Sequence, residues 1–282
     1  MSRPPRHEIV GFPTDPIWLA RQIAYHQSGF VGVDSYTSTT TESMRGRDVY
    51  SALEVVGLRH LEVPGALEAE PWVSRGFDAA LHFFLDDWHT DPRPGDPEEE
   101  PYNLVIAARR RDKDVGWYKE LSRGMILGLL SGRRDDVARL CAWPWAELVP
   151  EYSGMGGDLE DEVALMYLLV ASGLRDEPME GVERVAAKVR KSRAKRPRLL
   201  MKLWEAAEGG DQAAFDAALA RSLEHAASLP RLDDRDARVV ERLAGPQTAI
   251  ALAAGWRGLR TPELPPELSA LLITRDSIGL VD

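Results

Sequence analysis

Apolar residues recur at helical spacing along most of the chain, and prolines, glycines and capping residues mark the breaks between runs. Asp15-Pro16 ahead of IWLARQIAYHQ reads as an N-cap followed by a first-turn proline, and Ile17, Leu19, Ala20, Ile23 and Ala24 predict a helix over 15–27. The Thr/Ser-rich stretch GFVGVDSYTSTTTE offers caps and turn bonds but little periodicity, so it reads as a loop leading into a second helix near 42–57. From Glu70 to His89, the residues Trp72, Phe77, Leu81, Phe84, Leu85 and Trp88 share one face at about 100° per residue. This is the strongest amphipathic segment of the first half. It ends at TDPRPGDPEEEP, where four prolines and a glycine forbid helix or central strand and predict an exposed acidic loop.

Helical patterning resumes at VGWYKELSRGMILGLLSG, closes at Ser131-Gly132 and turns at once into RRDDVARLCAW, an αα-hairpin. DLEDEVALMYLLVASG with EPMEGVERVAAKVRK, and PRLLMKLWEAAEGG with DQAAFDAALARSLEHAA, repeat the arrangement. A helix from near Pro246 follows, then a proline-rich tail whose Leu264, Leu268, Leu271, Leu272 and Ile273 predict docking on the body. Only FVGV, RHLEV, NLVIA and IGLV look β-like. The class is therefore all-α: stacked antiparallel helical hairpins with a loose, repeat-like series. An N-terminal part, 1–114, carries the acidic loop and a hairpin part spans 115–282, with no linker composition separating them, so a single continuous domain is expected.

Composition narrows the class. At 282 residues, 44% hydrophobic and 28% charged, the chain is an ordinary folding sequence. Its net charge of −10 disfavours general nucleic-acid binding, which needs excess cation. One cysteine, Cys141, excludes an intrachain disulfide and suggests a reducing cytoplasm. No apolar core follows the N-terminal cations and no run is long enough to span a bilayer, so neither an export signal nor a membrane partner is expected.

Four features bear on chemistry. Asp86, Asp87 and Asp91 close the Phe83-Phe84-Leu85 helix and look like the DDxxxD motif of class I terpene synthases, whose carboxylates hold magnesium against a diphosphate. The second metal motif of that family has no match, and the prolines after Asp91 end the helix, so a solvated helix end outweighs a magnesium-dependent diphosphate enzyme. The six histidines form no compact ligand pair, Cys141 sits in an apolar context, and no phosphate loop or nucleophile elbow occurs, so no metal, cofactor or catalytic residue is assigned. Lys188 to Arg198 carries seven cations and no anion, read as a helix C-terminus and a polar turn ending at Pro197. The run from Asp86 to Glu100, which includes Glu98, Glu99 and Glu100, carries seven anions and one cation, and separated charge of this kind suits steering of a protein partner. The Trp143-Pro144-Trp145 turn adds two candidate anchors, Trp143 and Trp145.

The unit EAAEGGDQAAFDAALARSLEHAA, with Gly210, Asp211, Phe215, Leu219, Leu223 and His225 in their places, and ALAAGWRGL before LPPEL resemble the Immunity protein 49 family of bacterial polymorphic-toxin systems over about residues 115–272. The resemblance implies an all-α cytoplasmic protein that binds and neutralises a cognate toxin without catalysis. Asp86, Asp87, Asp91, Glu98–Glu100, Trp143 and Trp145 are the expected contacts with a cationic toxin domain. A helical-repeat scaffold in another pathway has the same sequence features.

Overall fold

A computed structural model describes residues 3–12, 16–36, 42–85, 116–141, 186–187, 189–229, 239 and 243–280. Among them every regular element is helical and no strand is present, as expected for an all-α chain. The elements are α1 (Arg6–Ile9), α2 (Pro16–Gly29), α3 (Glu42–His60), α4 (Glu70–Leu85), α5 (Gly116–Ser131), α6 (Arg134–Cys141), α7 (Lys195–Gly209), α8 (Gln212–Ser228), α9 (Gly245–Trp256) and α10 (Pro266–Ser269). Single 3-10 turns lie at Val33–Ser35 and Asp276–Ile278. Among the described residues no helix is long and apolar enough to cross a membrane.

α3 lies at the centre, packed against α2, α4, α5 and the 276–278 turn. Val49, Ala52, Leu53, Val55, Val56 and Leu58 are all buried, and every residue from 51 to 58 is, so this stretch of the helix is enclosed on every side. Full burial of a Leu or Val contributes roughly 1.5–3 kcal/mol. The same helix buries Asp48, Ser51, Glu54 and His60, a polar side chain at every third position but for Gly57. Each holds a different segment. Asp48 Oδ1 accepts the Val31 N–H at 2.9 Å, and its Oδ2 accepts the Gly32 N–H and the Tyr36 hydroxyl, both at 2.8 Å. Ser51 Oγ meets His26 Nδ1 of α2 at 3.4 Å, and Glu54 Oε2 accepts the Val239 N–H at 2.9 Å. His60 binds the C-terminal tail.

α4 buries Trp72, Phe77 and Phe84 as its periodicity predicts, and Val73, Gly76, Ala80 and Phe83 widen the stripe, so that α3 and α5 both pack on it. The approach is close: a methyl group on Gly76 would stand 2.3 Å from Ala52 Cβ, and one on Gly124 2.7 Å from Ala80 Cβ. α5 and α6 form the expected hairpin through Gly132, whose φ of 76° is left-handed. α7 and α8 form another through Gly210, also left-handed, and Asp211, whose side chain caps α8 by accepting the Ala213 and Ala214 N–H groups. α9 packs against α5, α7 and α8, and so joins the two hairpins. Cys141 is buried in the apolar core, and the tail docks as predicted, with Leu268, Leu271, Leu272 and Ile273 buried and Leu264 partly so.

Two readings of the pattern need correction. On α2, Ile17 is 66% exposed, and Ala20 and Ala24 also face solvent. The packed face is instead set by Ile23 and His26, because a buried imidazole meeting Ser51 and the Tyr50 ring orients the helix more strongly than small apolar residues do. The basic run closes a helix, as expected, but the turn that follows does not extend to Pro197. Helix continues to Lys191, residues 192–194 are irregular, and α7 starts at Lys195 with Pro197 buried in its first turn, where a missing N–H costs nothing. The DLEDEV–EPMEG hairpin lies almost wholly outside the described residues.

Candidate functional site

A cleft of about 930 Å³ opens where the C-terminal end of α9 meets the tail. Its position follows from local stops. α9 ends in a Schellman turn: Gly258 is left-handed at φ 92° and the Leu259 N–H reaches back to the Ala254 carbonyl at 3.1 Å. Leu259 is buried and the chain then leaves in an irregular course over 259–265. Gln212, the first residue of α8, clamps that course with its side-chain amide, donating to the Arg260 carbonyl at 2.7 Å and accepting the Arg260 N–H at 2.9 Å. The Ala244 N–H donates to the Leu271 carbonyl at 2.8 Å and the Ile273 N–H to Thr248 Oγ1 at 3.2 Å, which brings the tail back across α9 to close the other wall.

Among the described lining residues there are four arginines, Arg6, Arg134, Arg260 and Arg275, and one carboxylate, Asp276. Three of the guanidinium groups are held by main-chain carbonyls. Arg6 donates to the His60 carbonyl at 3.1 Å, Arg134 to the Trp256 carbonyl at 3.3 Å, and Arg275 to the Leu130 carbonyl. A carbonyl fixes the direction of a guanidinium without cancelling its charge. Arg6 is also paired with Glu62 at 3.0 Å; burial lowers its pKa, Glu62 opposes this and Arg3 adds to it. Arg134 lies 5.2 Å over the Trp256 ring, and the Arg134 and Arg260 side chains are exposed. The cleft is therefore a cationic site in a chain of net charge −10.

Beneath it sits His60, wholly buried. The Ala270 carbonyl, 3.0 Å from Nε2, can only accept, so Nε2 carries the hydrogen. Nδ1 is 2.7 Å from the Ser277 hydroxyl, which is also 2.8 Å from the Thr274 carbonyl, so in the neutral ring one hydroxyl hydrogen faces two acceptors. Burial nonetheless keeps the ring neutral, lowering its pKa from 6.5 to about 3; the Ala270 bond opposes this, and Arg6 and Arg3 reinforce it.

Asp86, Asp87, Asp91, Glu98, Glu99, Glu100, Trp143 and Trp145 all lie outside the described residues. Among the described residues, no three His, Cys, Asp or Glu side chains gather as a metal-binding set. Sequence reading missed the arginine cleft because its cations come from positions 6, 134, 260 and 275, with no local cluster to signal them. The residues that carry the family resemblance have structural duties: Gly210 turns, Asp211 caps, and Phe215, Leu219 and Leu223 are buried. No protein-family model, curated protein or solved structure matches the chain.

Proposed function

We propose that this protein acts by binding another protein, and that the partner is a bacterial toxin which it neutralises without chemistry of its own. The observation that supports partner binding is the arginine-lined cleft, with Arg134 stacked on Trp256 at its edge. Arg and Trp are the side chains most enriched among binding anchors, and three of these guanidinium groups are held in place before any partner arrives. Rigid anchors lose little side-chain entropy on association. The choice of a toxin comes from the resemblance over 115–272, and in this reading the anionic run from Asp86 to Glu100 faces a cationic part of the toxin.

Co-expression with the toxin encoded beside it tests the proposal. The expected result is survival of the host and a stoichiometric complex on affinity purification. A toxin that stays fully active and is not retained overturns it.

A further inference from the structure

We infer that the arginine cleft is the docking site for a carboxylate-rich segment of the partner protein; this rests on the partner-binding reading above and deepens it. The cations Arg6, Arg134, Arg260 and Arg275 line one continuous cleft; Arg6 is paired with Glu62 behind it, and Asp276 is the one carboxylate among the described lining residues. The field of the whole chain, at −10, repels acidic ligands, so a local excess of cations must be built by the fold and not inherited from composition. It is built at several points. The Gln212 amide pairs both main-chain groups of Arg260, and main-chain carbonyls hold Arg6, Arg134 and Arg275.

Size and lining favour a peptide over a small anion. A volume of about 930 Å³ far exceeds one phosphate group, and the wall mixes the guanidinium groups with apolar Leu252, Trp256, Leu259 and Leu264. Backbone and aliphatic stems of an extended peptide cover such apolar surface, while its carboxylates meet the planar donors of arginine two at a time.

Fluorescence anisotropy with a labelled hexaglutamate peptide, titrated with the full chain at about 50 mM salt, provides the test. The native protein is expected to bind, and the Arg134→Ala/Arg260→Ala double variant, altered only at exposed side chains, to bind about tenfold more weakly. Arg190→Ala, which removes an exposed ion pair with Glu205 away from the cleft, is expected to bind as the native protein does. Absence of binding, or equal binding by all three proteins, overturns the inference. So does inorganic pyrophosphate displacing the peptide at lower concentration than unlabelled hexaglutamate, which would mark a phosphate site. A toxin retained by the double variant at native affinity overturns the inference and leaves the toxin-binding reading standing. If no toxin is retained at all, that reading falls, and the hexaglutamate titration still decides the cleft.

Discussion

His60 Nε2 donates to the carbonyl of Ala270 at 3.0 Å across 210 positions of sequence, while the His60 carbonyl itself accepts from Arg6 at 3.1 Å. One residue at the end of the central helix thus ties the N-terminal segment and the C-terminal tail together beneath the cleft. Its imidazole is buried and neutral, and Nδ1 faces the Ser277 hydroxyl at 2.7 Å. The floor of the site is therefore coupled to the protonation of a group that solvent does not reach.

The coupling predicts acid lability. The folded-state pKa of His60 is about 3 against 6.5 when free, so the unfolded chain takes up the proton first as pH falls. The stability held by the neutral ring is complete above the free value and is lost progressively down to the folded one. This amounts to about 2 kcal/mol between about pH 7 and pH 5. Urea denaturation of the native chain and of His60→Gln at the two pH values checks it. The variant should lose about 2 kcal/mol less over the interval, and parallel losses would refute the assignment to His60.

Asp48 makes a second prediction. Its buried carboxylate accepts two main-chain N–H groups and the Tyr36 hydroxyl, which holds residues 30–36 against α3. Asp48→Ala strands these donors and should cost about 3 kcal/mol. Hydrogen exchange should quicken at the Val31 and Gly32 amides more than in α8, because only the former lose their acceptor.

Two glycines should respond in opposite directions to the same substitution. Alanine favours helix over glycine by roughly 1 kcal/mol, and at Gly209 an added methyl group meets nothing within 4 Å, so Gly209→Ala should stabilise by about that amount. At Gly76 the methyl group would meet Ala52 Cβ at 2.3 Å, an atom with no torsion to relieve the clash. The helices must move apart, and Gly76→Ala should destabilise by about 2 kcal/mol despite its better propensity. Thermal melts of the two variants decide both signs.

Gln212→Ala is expected to loosen the wall of the cleft and leave the helices in place. The substitution removes both hydrogen bonds to the Arg260 main chain while Asp211 still caps α8. Exchange of the Arg260 amide should rise about tenfold or more with a loss of only about 1 kcal/mol in global stability. Unchanged exchange at Arg260 would show that Gln212 does not hold that segment.

Much of the fold is legible locally. The Ser131-Gly132 and Gly210-Asp211 turns, the start of α4 at Glu70, the start of α9 near Pro246 and the docking of the tail all follow from short-range chemistry: a left-handed glycine, a capping carboxylate, an apolar repeat. The facing of α2 is less so, since Ile17 and Ala20 suggest one face and the His26–Ser51 contact selects another. α3 hides its role most, because Asp48, Ser51, Glu54 and His60 look like the solvent side of an amphipathic helix and are in fact buried.

The all-α class and the turns at Gly132 and Gly210 are readable from sequence, because they depend on contacts within about one or two turns of chain. Only the folded chain shows that residues 51–58 of α3 are enclosed, that four polar groups on this helix hold segments from 12 to 217 positions away, and that arginines at positions 6, 134, 260 and 275 line one cleft. A hydrogen-bond partner or a neighbouring charge hundreds of residues away leaves no periodicity behind. Only packing, by removing water from one side of Asp48 or His60 and holding arginines at the edge of another surface, assigns such residues their partners.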